Sequence, residues 1–140
     1  MIIGIDHIGL ASDDPDALAG PLTALGLARS DSGVAAGYQV GCEFWNDPAR
    51  PGAPAVEVVA PLTPESAIAH HLAARGPGLY HVAFRVDDLA GEVARLRREG
   101  FVPVDDRPHD GARPGMRVQF LYLRRPAGLL VELVEYTAAG

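Results

Sequence analysis

The sequence predicts an α+β fold in which two β-α-β-β-β modules pair into a curved, cup-like mixed sheet with helices outside. Three observations point there. A stretch near the start, Ile5-Asp6-His7-Ile8-Gly9-Leu10, recurs in pattern as Leu79-Tyr80-His81-Val82-Ala83-Phe84. His7 is then followed by Asp13-Asp14 and His81 by Asp87-Asp88, with Gly26 and Gly100 each 19 residues past their histidine. Each copy ends on an apolar strand bearing one carboxylate: Val56-Glu57-Val58-Val59, 50 residues after His7, and Val131-Glu132-Leu133-Val134, 51 after His81. The crossovers are too short for a doubly wound sheet, so the two units are expected to pair their sheets instead.

In chain order, residues 2–11 read as a strand with Ile5, His7, Gly9 and Ala11 on one face and Ile8 and Leu10 on the other. Asp14-Pro15-Asp16 starts a helix, with Asp14 as N-cap and Pro15 at the first helical position. Leu18, Leu22 and Leu25 fall at helical spacing, Gly26 terminates, and Gly20-Pro21 predicts a kink or irregular turn. Strands are expected near 28–32 and 37–45, then a proline-rich loop from Asn46 to Pro54 and a strand over 55–60. Thr63-Pro64-Glu65-Ser66 caps a helix to about Arg75, closed by Gly76-Pro77-Gly78. The second copy repeats the order: strand 79–87, helix 88–99 with Leu89, Val93 and Leu96 inward, strand near 101–105, loop 106–115, strands 116–123 and 128–136. The organisation is one domain over 1–140: module one about 2–62, a linking helix about 63–77, and module two about 78–136.

At 140 residues the chain can bury a real core. No run approaches the roughly 18–20 apolar residues of a membrane span, and the N-terminus lacks a signal-peptide pattern; no membrane partner is expected. A single cysteine, Cys42, excludes an internal disulfide and fits a reducing cytoplasm. Net charge is −6 and all twelve basic residues are arginine, which argues against nucleic acid as a partner and excludes a lysine Schiff base.

The chemistry concentrates on His7, Glu57, His81 and Glu132. Small residues flank each histidine on its own face, Gly9 and Ala11 beside His7 and Ala83 beside His81. Glu57 and Glu132 sit mid-strand in apolar runs, where an unpaired carboxylate costs several kcal/mol. Two carboxylates at matched positions, each with a matched histidine, call for a shared partner. One divalent cation satisfies them, and the mixed nitrogen and oxygen set suits Co, Zn, Ni, Fe or Mn with positions left for substrate. Alternation also places Arg85, Arg117 and Gln119 as substrate contacts on the cup face. His109 is balanced between a substrate-facing and an exposed role. His70, His71, Arg124 and Arg125 read as surface residues, and Cys42 as a core thiol.

These residues resemble the vicinal oxygen chelate superfamily, and within it most resemble the methylmalonyl-CoA epimerases. The resemblance runs through Ile5-Asp6-His7-Ile8-Gly9, Val56 to Leu62, Gly78 to Phe84 with Val86-Asp87-Asp88, and Gly128 to Leu133, so it spans essentially the whole chain. It implies that His7, Glu57, His81 and Glu132 take the family's four metal-ligand places. The epimerases commonly carry Gln where Glu57 stands; the His/Glu/His/Glu set is similar to that of glyoxalase I. However, the first helix lacks the Phe-Tyr usual there, and the Ala60-Pro61-Leu62-Thr63-Pro64 continuation is epimerase-like. The loop 106–115 also departs from the family's Gly-rich stretch. The resemblance further implies a metal-dependent epimerase that removes a proton alpha to a thioester carbonyl. Glu132 is one base and Glu57 or Glu43 the other, the substrate a small molecule such as an acyl-CoA, and the assembly a homodimer. The alternatives are a glyoxalase-I-like lyase acting on a hemithioacetal and a non-catalytic protein that binds a small molecule such as an antibiotic.

Overall fold

The computed structural model of the chain describes residues 1–137. Two central strands, β1 (Ile2–Ala11) and β5 (Gly78–Val86), run antiparallel to each other. On the β1 side follow β4 (Ala55–Pro61), β3 (Val40–Asn46) and β2 (Ala28–Ala35); on the β5 side follow β9 (Leu129–Tyr136), β8 (Met116–Leu123) and β6 (Val102–Pro103), while β7 (His109–Asp110) also pairs with β8. The β1–β4 and β5–β9 pairings are parallel and the rest antiparallel. Among the described residues these strands form one open, curved mixed sheet, and the equivalent pairings in the two halves reflect the repeat seen in the sequence.

Alternation decides which side chains fill the concave face. Ala11, Cys42, Phe44, Val59, Ala83, Val118 and Val134 form the inner cluster. The convex face is covered by two amphipathic helices. α1 (Ala19–Ala24) lays Leu22 on Trp45 and Val58, and α3 (Leu89–Arg98) lays Leu89 and Leu96 on Leu121, Val131 and Leu133. Asp88 caps α3 through the Gly91 amide. The linking helix α2 (Ala67–Arg75) is capped by Ser66, which accepts from the Ala69 amide, and it tucks Ile68 into the inner cluster, closing one end of the cup.

Several boundaries differ from the sequence reading for identifiable reasons. The helix expected after Asp14 is a 3-10 turn, Pro15–Leu18, followed by α1. The break falls before Gly20-Pro21 because α1 begins at Ala19, leaving Pro21 in a first turn where its missing N–H has no intrahelical partner to lose. Asp14 makes no side-chain cap; its own amide donates to Ser12 Oγ. Leu25 lies past the helix end and is exposed, while Gly26 takes the positive φ of +87° that terminates the turn. In the second copy the expected strand over 101–105 shrinks to Val102–Pro103, since a proline cannot donate to a ladder.

The loop 106–115 reaches across to module one. Gly33 has no side chain where the Ala112 carbonyl presses against it, and a Cβ there would clash with that oxygen. Tyr38 Oη donates to Asp105 at 2.7 Å, and Arg113 Nε donates to Asp31 at 3.0 Å. The two halves are therefore fastened over the concave face as well as through the sheet.

Candidate metal centre

His7 and His81 reach the cup from the two central strands, and Glu57 and Glu132 from the parallel neighbours β4 and β9. Register brings them together: Gly9 pairs with both Glu57 and His81, and Ala83 pairs with both His7 and Glu132. Because Gly9 and Ala83 are small, the rings and carboxylates fold over them. A Cβ on Gly9 would lie 2.7 Å from His81 Nε2, so the His81 ring occupies the space a larger residue would need.

The two Nε2 atoms face each other at 3.1 Å. Glu132 Oε1 is 2.8 Å from His7 Nε2 and 3.4 Å from His81 Nε2, and Glu57 Oε1 is 3.4 Å from each. One ligand atom from each of the four residues lies within 4.8 Å of the others. All four side chains are buried, His7 completely.

The donor set fits a divalent cation. His7 Nδ1 lies 2.7 Å from Asp6 Oδ2, so its N–H is directed there and Nε2 is left as a bare lone pair. That lone pair then points at a second imidazole nitrogen and two carboxylate oxygens. Glu132 Oε1 makes no hydrogen bond despite its proximity to His7; two lone pairs this close repel unless a positive charge lies between them. Two nitrogens and two oxygens around one point match the first-row divalent metals.

Without such a cation, protons supply the charge. Burial opposes ionisation of His7, yet the hydrogen bond to Asp6 and the close carboxylates of Glu132 and Glu57 override it and push its pKa up to about 12. His81 moves upward for the same reason, against its own burial. Burial would raise Glu57 and Glu132, but the two histidines hold both below the usual carboxylate range.

Around the cluster is a small cavity of about 40 Å³ that opens to solvent at its mouth. Apart from Glu57, His81 and Glu132 its walls are mostly apolar, with Val40, Val59, Ile68, Met116, Val118 and Phe120 prominent. Cys42 also lines it; burial and the nearby Glu57 and Glu132 raise its pKa and keep it a thiol. Tyr38 and Tyr80 complete the rim, both raised by burial first and by neighbouring carboxylates second.

Other sequence candidates fall elsewhere. Glu43 is a correction: it pairs with Val58, one residue out of phase with Phe44 and Glu57, so it points to the convex side and binds Arg29 at 3.1 Å. The inward residues of β3 are Val40, Cys42 and Phe44, none acidic. Arg117 and Gln119 are corrected likewise. Met116, Val118 and Phe120 take the inward phase of β8, leaving Arg117 on Asp110 and Gln119 on the Asp105 carbonyl. Arg85 shares the phase of His81 but lies at the far end of the strand, over the Tyr136 ring at 4.8 Å, in a separate polar cleft with Asp6 and Arg113. His109 packs edge-on against Tyr38 outside the cavity wall, His70 is exposed, and His71 packs on Tyr80.

Asp6 went unrecognised from the sequence. Strict alternation puts it opposite His7, but the β1–β5 register slips between Ile5 and His7, and the bulge turns both side chains to one side. The available signal was a carboxylate within an apolar strand, which needs a partner when buried.

Sheet and cluster together define a class. The chain belongs to the glyoxalase/bleomycin resistance protein/dioxygenase superfamily, whose family model matches residues 6–120. Among individual proteins, it is similar to methylmalonyl-CoA epimerase from Mycobacterium tuberculosis, with 30% identity and a TM-score of 0.85 over 98% of this chain and 90% of that one. Streptomyces coelicolor methylmalonyl-CoA epimerase in complex with 2-nitronate-propionyl-CoA is 31% identical with a TM-score of 0.85, over 99% of this chain and 100% of that one. An uncharacterized protein, YqjC of Bacillus subtilis (strain 168), is 31% identical over 94% of this chain and 91% of its own. No helix among the described residues is long and apolar enough to cross a membrane.

Proposed function

We propose that this protein is a divalent-metal-dependent isomerase that moves a proton at a carbon alpha to a thioester carbonyl, on a methylmalonyl-CoA-like substrate. The observation that carries the reading is the buried His7–Glu57–His81–Glu132 cluster set in an apolar cavity, in a chain similar throughout its length to methylmalonyl-CoA epimerases. When bound there, a divalent cation supplies a Lewis acid that stabilises negative charge developing on substrate oxygens. The protein's own task is then proton transfer. Glu132 enters from β9 and Glu57 from β4, on the two halves of the cup, so one carboxylate can take the proton from one side and the other return it from the opposite side. With Glu43 on the convex face, these two are the carboxylates that line the cavity among the described residues. The apolar walls exclude water and confine a small acyl group.

Glu57 also favours a second reading, a glyoxalase-I-like lyase acting on a hemithioacetal, because the His/Glu/His/Glu set is similar to that of glyoxalase I. Assaying the metal-loaded protein in parallel with 2R-methylmalonyl-CoA and with methylglyoxal plus glutathione separates the two. Epimerisation supports the first proposal; turnover of the second mixture alone overturns it in favour of the second. We propose in addition that the molecule is a homodimer joined through the exposed Ile3, Ile5 and Ile8 of β1 and Leu79 of β5, with sedimentation equilibrium of Ile5→Glu against wild type as its test. A monomeric wild type would end that proposal.

A further inference from the structure

The two histidines of the cluster are held differently. His81 Nδ1 is buried without any hydrogen-bond partner, and its ring is fixed by packing over Gly9 and against the edges of Tyr80 and Phe120. His7 instead belongs to a directed chain. Arg113 Nη1 donates to Tyr136 Oη at 3.1 Å, the Tyr136 hydroxyl donates to Asp6 Oδ2 at 3.1 Å, and His7 Nδ1–H donates to the same oxygen at 2.7 Å. Every donor has an acceptor, so for the neutral ring the chain permits one tautomer of His7, with the lone pair on Nε2. The Asp6 side chain is only 7% exposed, and its carboxylate receives both donors because the β1 bulge turns it inward.

We infer that Asp6 is a positioning residue for His7, and that through Tyr136 and Arg113 it ties the metal centre to the loop crossing the cup. Arg113 is the anchor. It stacks on Phe44 at 3.8 Å, binds Asp31 of β2, and belongs to the loop 106–115. Phe44 in turn meets the His7 ring edge-on at 5.8 Å. The loop therefore reaches His7 by two routes, one polar and one apolar. Carboxylate partners of metal-bound histidines fix ring orientation and raise ligand basicity, and removing one typically costs about 10–100-fold in metal affinity.

The inference rests on the metal site proposed above, and its test keeps the two apart. Co(II) is titrated into metal-free wild type, Asp6→Ala, Asp6→Asn and Tyr136→Phe, reading dissociation constant and visible spectrum, with thermal midpoints of the metal-free proteins alongside. Wild type is expected to bind one Co(II), and Asp6→Ala to bind about 10–100-fold more weakly with an altered spectrum. Asp6→Asn, whose amide oxygen still accepts from Nδ1–H, should recover part of the loss. Tyr136→Phe, which removes a single hydroxyl, should weaken binding in the same direction by less. If the midpoints fall while affinity and spectrum stay as in wild type, Asp6 is structural only and the inference is overturned. If wild type itself binds no Co(II), the metal reading falls and this inference with it.

Discussion

Gly9 offers a sharp test of how the cup is built, because one methyl group there separates folding from metal binding. Glycine in mid-strand costs roughly 0.5–1 kcal/mol relative to alanine, so Gly9→Ala ought to stabilise the strand unless the space is needed. The space is needed: a Cβ would stand 2.7 Å from His81 Nε2 and closer still to the rest of the ring. Ordinary carbon contacts begin near 3.5 Å, so the ring must retreat by roughly 0.8 Å or more. Metal–ligand distances tolerate only about ±0.2 Å, so the retreat takes Nε2 out of range. Gly9→Ala is therefore expected to fold with a thermal midpoint near wild type in the metal-free state, yet lose at least about 100-fold in Co(II) affinity, at or beyond the upper end of the range for disturbed ligand support. Calorimetric titration with Co(II) and a melting curve of the metal-free protein read both quantities. Wild-type affinity in Gly9→Ala would refute the reasoning, since it would mean that His81 is not a ligand or that its ring is not confined by this strand.

Further predictions concern charge, phase and packing. The raised His7 pKa stabilises the metal-free protein fully below its ordinary value of 6.5, and that stabilisation is lost as pH climbs toward about 12; urea midpoints of the metal-free protein should fall between pH 6 and pH 10. The lowered Glu57 and Glu132 act in the opposite sense, and their contribution is lost on acidification below the ordinary carboxylate value. Metal binding at neutral pH should release protons from the histidines, which titration in buffers of different ionisation enthalpy detects. Glu43→Gln should leave activity unchanged and cost no more than about 1 kcal/mol, because it breaks only the surface contact with Arg29; a large loss of turnover would return Glu43 to the site. Leu133 is fully buried between sheet and α3, so Leu133→Ala should cost about 2–5 kcal/mol in chemical denaturation.

Much of the fold and of the cluster was legible because both depend on repetition and alternation. His7 and His81 on the matching first strands, and Glu57 and Glu132 in the middle of the matching last strands, point to a shared centre from the sequence alone. Three misplacements, those of Glu43, Arg117 and Gln119, share one physical source, the phase of a strand, whereas Arg85 has the right phase and lies too far along β5. Local sequence does not give the phase of Glu43, and pairing Phe44 with Glu57 turns it outward. Arg117 and Gln119 suffered the same slip on β8, where the inward positions are filled by Met116, Val118 and Phe120. Asp6 is the converse case, since a bulge breaks the alternation that would have sent it outward. The Arg113 clasp was also illegible: it joins residues 82 positions apart through a loop whose path no local pattern specifies.

The measurement that bears most directly on the central claim is deuterium incorporation at C2 of methylmalonyl-CoA in D2O. Proton NMR would follow it with Co(II)-loaded wild type, Glu132→Gln and a protein-free control. Loss of the C2 proton signal is expected with wild type, and a rate lower by about 10²–10⁴ in Glu132→Gln with Co(II) still bound. Exchange by Glu132→Gln at the wild-type rate would contradict the assignment of the base, and no exchange by wild type with Co(II) confirmed at the cluster would contradict the proposed reaction itself.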